Sequence, residues 1–145
     1  MKVICRINNI NDKNLAPDAS MRVRRYVSMP DGELNLEIDK EYVVYGIELR
    51  DGCPWFYLCD EEYDEYPLAY AADFFEIADR HLSAYWQLNY KCAGINDSRT
   101  QLVFSEWALD ENFYENLVSG EQQAVATFAK FRKHHGCGVR VRSLS

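Results

Sequence analysis

The feature that most constrains this chain is a change of hydrophobic period near Trp107. Upstream, apolar residues recur at every second position in short runs, as half-buried strands require. Downstream they recur at three and four, as helices require. Leu34, Leu36 and Ile38 alternate with Glu33, Asn35, Glu37 and Asp39, and a β-rich run follows over 42–49. Arg50-Asp51-Gly52 is a tight hairpin signal leading into a strand at 55–59. Further short strands are predicted at 68–70, 74–77 and 84–88. The segment 108–118 then sets Leu109, Phe113 and Leu117 on one helical stripe. Ser119, with Gln122 at the third helical position, reads as the cap of a second helix ending near Gly136. Val125 and Phe128 mark its inner face.

The remaining segments give weaker patterns. Residues 1–8 alternate as a strand, 9–20 read as loop, and 21–29 read as a further strand ended by the Pro30-Asp31-Gly32 turn. The tail 139–142 alternates and is predicted as an edge strand or a mobile end. Short strands followed by helices predict a single α+β domain over 1–145. Its expected form is a bent antiparallel sheet or a partly open SH3-like barrel, with two C-terminal helices near 109–118 and 120–135. The in-phase apolar positions form the expected core: Val43 or Val44, Ile47, Phe56, Leu58, Phe75, Ile77, Leu109, Phe113, Val125 and Phe128.

Composition bounds the function classes. No apolar run approaches the roughly 20 residues of a membrane-spanning helix. The first residues, MKVICRINNINDK, resemble neither a secretory signal nor a transit peptide. Cys5, Cys53, Cys59, Cys92 and Cys137 form no CxxC pair, so the expectation is a reducing cytoplasm, with cysteines serving as small buried side chains. The net charge of −7 disfavours nucleic acid as a partner. That charge is unevenly placed: residues 1–32 carry +3, 33–86 carry −11 and 87–145 carry +1.

The densest feature is Asp60-Glu61-Glu62-Tyr63-Asp64-Glu65-Tyr66, five carboxylates and two tyrosines directly after a predicted strand. One interpretation is a partner-binding surface aimed at a basic protein, with carboxylates steering the encounter and tyrosines adding contact area. The other is a solvated loop that protects a sheet edge. The run lacks the D-x-D-x-D-G spacing and distal Glu of a calcium loop, so no metal is expected. Phosphate-binding glycine loops are absent, and no cofactor is expected. Asp79 and His81 could form an oriented imidazole, but no nucleophile motif accompanies them. His134 and His135 suit a helix C-terminus. Arg22, Arg24 and Arg25, with Arg140 and Arg142, form either a basic face or internal pairs with the excess carboxylates. Trp55, Trp86 and Trp107 are expected in the core or at the sheet–helix junction. No catalytic constellation emerges, so a non-enzymatic role is expected.

Three stretches carry a resemblance: KEYVVYGIELRDGCPWFYLCDE (40–61), YPLAYAADFFEIADRHLSAYW (66–86) and FSEWALDENFYENLVSGEQQAVATFAKFR (104–132). Together they cover about half of the chain. Through their aromatic runs, Phe-Glu-Ile and the Trp-Ala-x-Asp helix entry, the chain resembles immunity proteins of bacterial contact-dependent growth inhibition systems. The resemblance implies a protein that binds and neutralises a cognate toxin domain. Such families are diverse in sequence, so it supplies no set of contact residues. A nuclease toxin would offer a basic cleft to which the acidic surface is complementary. The alternative is an SH3-like adaptor or regulatory module that takes a peptide or protein in an aromatic groove of Tyr42, Tyr45, Trp55 and Tyr57.

Overall fold

The computed structural model describes residues 1–92, 94 and 98–142. It is an α+β fold built on two antiparallel sheets. One sheet has the order β2-β1-β6, from Lys2–Cys5 (β1), Glu41–Val43 (β2) and Phe75–Asp79 (β6). The other has the order β5-β4-β3-β8-β7, from Gly46–Arg50 (β3), Cys53–Leu58 (β4), Leu68–Ala71 (β5), Trp86–Cys92 (β7) and Ser98–Phe104 (β8). The helices are Pro17–Val23 (α1), Ser105–Ala108 (α2), Phe113–Val118 (α3) and Gln122–Arg142 (α4). Among the described residues no barrel closes.

The predicted run 42–49 is two strands, because the chain turns between the sheets at Val44-Tyr45. Val44 enters one core, with Val3, Phe56, Leu58 and Phe74, while Tyr45 enters the other, with Val103, Trp107, Leu117 and Phe128. Consecutive side chains of a strand point to opposite faces, so this dipeptide feeds both layers. The core of the smaller sheet meets one face of the five-stranded sheet through Phe56, Leu58 and Tyr70, and the core of α2–α4 meets the other through Tyr57 and Val103.

The hairpin forms as the sequence requires. Asp51 (φ 55°) and Gly52 (φ 76°) occupy the two left-handed positions of a primed turn, and Arg50 pairs with Cys53. Gly46 answers a different need: a Cβ there would lie 2.9 Å from Val103 Cγ1, so only glycine lets β8 approach β3 at this point.

Several expectations are corrected. Residues 21–29 hold no strand; α1 starts with Pro17 at its first turn and Asp18 beside it, and buries Ala19 and Val23 at a helical spacing. The alternation at 34–38 buries Leu34 and Leu36 yet forms no ladder beyond the single Asn9–Glu33 bridge, and Ile38 is exposed. The segment 108–118 is not one helix. Asp110 Oδ1 accepts the Asn112 amide at 2.9 Å, a side-chain turn that competes with the helix and separates α2 from α3. Leu109, left in that break, is 82% exposed instead of buried. Glu121, not Ser119, caps α4: its carboxylate accepts the amides of Gln123 (3.0 Å) and Ala124 (2.9 Å). The buried stripe of α4 is Ala124, Phe128 and Phe131, which turns Val125 outward to 38% exposure. The helix continues through Gly136 to Arg142, so 139–142 is not the predicted edge strand. Ile47, Phe75 and Ile77 are half-buried, whereas Phe56, Leu58, Phe113 and Phe128 are buried as expected.

Candidate partner-binding site

The acidic segment is the connection between β4 and β5, and its side chains divide into those that hold it and those it presents. Asp60 is buried. Its Oδ1 accepts the amides of Glu62 (2.9 Å) and Tyr63 (2.8 Å), and its Oδ2 accepts the Tyr70 hydroxyl at 2.6 Å. This folds the chain back on itself at the end of the strand and ties the turn to β5. Burial, with Asp60 beside it, pushes the Tyr70 phenol well above its ordinary range, so it stays a donor.

Glu61 accepts from Lys40 Nζ at 2.5 Å and from the Tyr42 hydroxyl at 2.6 Å, while its amide donates to the Asn35 carbonyl. Lys40 first and Tyr42 second hold the Glu61 carboxyl below the usual carboxylate range. Glu62 accepts from Asn35 Nδ2 at 2.7 Å. On the far flank, Arg132 of α4 donates to the Asp64 carbonyl and reaches its carboxylate at 3.4 Å. Tyr63 and Tyr66 stack at 5.7 Å between ring centres, nearly parallel. Tyr66 also packs against the helical core. Tyr114 of α3 donates to the Pro67 carbonyl at 2.7 Å and closes the loop's last residue onto the helices.

Of the seven predicted site residues, Asp60 is therefore a scaffold inside the protein. Glu61 and Asp64 are exposed but tied to cations. Glu62, Tyr63 and Glu65 face solvent, and Tyr66 is half-buried. Glu65 has no hydrogen bond or ion pair with the described residues.

A second polar group sits on the helix-facing side of the five-stranded sheet and was not anticipated. Glu48 Oε1 accepts from Gln101 Nε2 (2.7 Å) and the Tyr57 hydroxyl (3.2 Å), and its Oε2 accepts from Arg50 Nε (2.7 Å). Asn89 donates to Gln101, extending the network across β7. These residues floor a cleft of about 250 Å³ whose helical wall carries Trp107, Tyr114 and Glu115. The Glu48 carboxylate is fully engaged by its own donors, so the network fixes strand register and leaves no unpaired base. A lone Glu inside the apolar run 42–49 was the available signal.

The other candidate groups are quiet. His81 Nδ1 lies 2.7 Å from Asp79 Oδ1, so the Asp-x-His pair forms, but the imidazole side chain is 95% exposed. Arg22 makes a two-pronged contact with Asp73 (3.1 and 2.9 Å), Arg25 pairs with Asp51, and Arg24 donates to Asn11 and Ser20. The trio is thus satisfied internally; the side chains of Arg140, Arg142 and Cys137 lie outside the described residues. Among the described side chains Cys5 is the one fully buried thiol, Cys53 and Cys59 being intermediate and Cys92 exposed. Burial pushes the Cys5 and Cys59 thiols up to about 11, away from thiolate chemistry. Trp55 and Trp107 are core residues, and half-buried Trp86 donates to the Tyr45 carbonyl. Tyr42, Tyr45, Trp55 and Tyr57 are all buried, with Tyr57 lining the polar cleft beside Trp107 and Tyr114. Among the described residues no set of three His, Cys, Asp or Glu side chains converges as a metal site. Nor is any helix among them long and apolar enough to cross a membrane.

Comparison with family models, with curated proteins and with solved structures gives no match.

Proposed function

We propose that this chain is an immunity protein that binds and neutralises a cognate toxin domain through the β4–β5 loop. The observation that carries the reading is the loop's internal anchoring. Asp60, Glu61 and Asp64 are each held by partners on a different element, while Tyr63, Glu65 and an Asn35-bound Glu62 are exposed to solvent. A loop that only shields a sheet edge needs charge, not a fixed shape. A loop that recognises a partner gains from fixed shape, because ordering at the moment of binding then costs less.

The chemistry fits a basic partner such as the cleft of a nuclease, with carboxylates occupying positions that phosphates would take. On this reading the protein works in the cytoplasm by occlusion, with no reaction, metal or cofactor of its own and no contact with nucleic acid or membrane. The test is co-purification with the toxin domain encoded beside its gene, followed by growth rescue of cells expressing that domain. A stable complex and restored growth are expected. A toxin that is neither bound nor neutralised overturns the reading.

A further inference from the structure

One row of side chains crosses the whole five-stranded sheet on the face turned toward β1 and β6. In register it runs Tyr70, Phe56, Ile47, Leu102, Leu88. Tyr70 and Phe56 are buried, Ile47 and Leu102 are half-buried, and Leu88 is 62% exposed. The next row is Leu49, Thr100 and Tyr90, with Leu49 42% and Tyr90 66% exposed on either side of half-buried Thr100. Ile47 of β3 and Trp86 of β7 still pack against the core under the smaller sheet, whereas Leu49, Leu102, Leu88 and Tyr90 belong to neither core, so the apolar surface continues past its cover onto β3, β8 and β7. On β7 the usual order is reversed: the apolar side chains Leu88 and Tyr90 meet solvent, while Asn89 on the opposite side lines the polar cleft.

We infer that this uncovered face is the contact surface between two copies of the chain. All six side chains of the two rows on β3, β8 and β7 are uncharged, in a protein of net charge −7. Two like-charged copies can therefore meet here without burying a charge or opposing two carboxylates. A basic partner gains nothing from this face; its complement is the acidic loop. Two antiparallel sheet faces can pack on one another in an aligned sandwich about 10 Å apart. A two-fold contact of this kind uses the same patch on both copies. The acidic loop joins β4 to β5, at the edge of the sheet away from β7, so both copies keep it free.

The experiment is sedimentation equilibrium of the full chain over about a hundredfold range of concentration. The wild type should approach twice the 16.9 kDa chain mass. Leu88→Glu and Tyr90→Glu should each weaken dimerisation by about a hundredfold or more, since each buries a charge at the contact. Both side chains are exposed in the single chain, so circular dichroism of the dilute variants should match the parent. Gln87→Glu, on the opposite side of the same strand, should leave the dimer unchanged. For the wild type alone, amide exchange in β8 and β7 should slow as concentration rises. A chain that stays monomeric throughout, or a dimer indifferent to Leu88→Glu and Tyr90→Glu, overturns the inference. So does a dimer that Gln87→Glu disrupts equally, because the contact is then the β7 edge and not the face. Loss of toxin binding in an acidic-loop variant that still dimerises bears on the proposed function alone.

Discussion

Asp60 shows why a carboxylate's role depends on what surrounds it. In the sequence it is the first of five equivalent acids, and nothing in the run distinguishes it from Glu61 or Glu65. In the fold it is buried with three donors, because the strand ends there and the chain must turn back over Tyr70. Asp60→Ala should cost about 1–3 kcal/mol in urea denaturation, as it strands two amides and a phenol. Glu65→Gln, without such contacts, should change stability by less than about 0.5 kcal/mol. Glu61 gives a pH signature. Lys40 and Tyr42 lower its folded pKa below the ordinary value of 4.5, so its contribution is complete above that pH and fades as pH falls through the folded value. The stability difference between the parent and Glu61→Gln should therefore shrink on acidification below about pH 4.5 and be flat above it. A difference that grows in acid would contradict the Lys40–Tyr42 clasp. Local sequence identified the acidic cluster but not its division of labour, because Lys40, Tyr42, Asn35 and Arg132 come from elsewhere in the chain.

Elements were legible where one local signal was sufficient. Asp51-Gly52 specifies a primed turn almost alone, and the hairpin follows. The helical region was legible in period but not in phase, since the Asp110–Asn112 turn resets it and Glu121 starts α4 later than Ser119 suggested. Phe128→Ala should consequently cost about 3–5 kcal/mol, measured as a shift of the denaturation midpoint. Leu109→Ala, on the neighbouring break, should be within about 0.5 kcal/mol of the parent. Equal costs would mean that the break between α2 and α3 is not formed. Strand β8 escaped notice because its alternation, Arg99, Gln101 and Val103 against Thr100, Leu102 and Phe104, carries polar residues on the face that also holds Glu48. Gly46→Ala should destabilise by about 1–3 kcal/mol, the cost of displacing Val103 from an already filled core.

At the scale of the whole molecule, charge and topology act separately. Part of the −11 of residues 33–86 is offset by cations from outside the segment, with Asp39 and Glu76 on Arg6, Asp73 on Arg22, Asp51 on Arg25 and Asp64 on Arg132. What remains for a partner is narrower than the sequence implied. Glu62→Gln with Glu65→Gln should slow association with a basic toxin domain by about one order of magnitude, with the loss shrinking at high salt. Tyr63→Ala should instead speed dissociation. Stopped-flow and surface-binding kinetics at two ionic strengths separate the two, and an unchanged association rate for the double variant would move the contact elsewhere. The place of β1 has a consequence of another kind. It is the central strand of its sheet, yet its neighbours lie at 41–43 and 75–79. A ribosome therefore releases this segment well before its first neighbour exists, and one of its two sides must wait unpaired until residues 75–79 are made. Such distant pairings slow folding into the millisecond-to-second range and leave apolar Val3, Ile4 and Cys5 open to chaperones in the meantime.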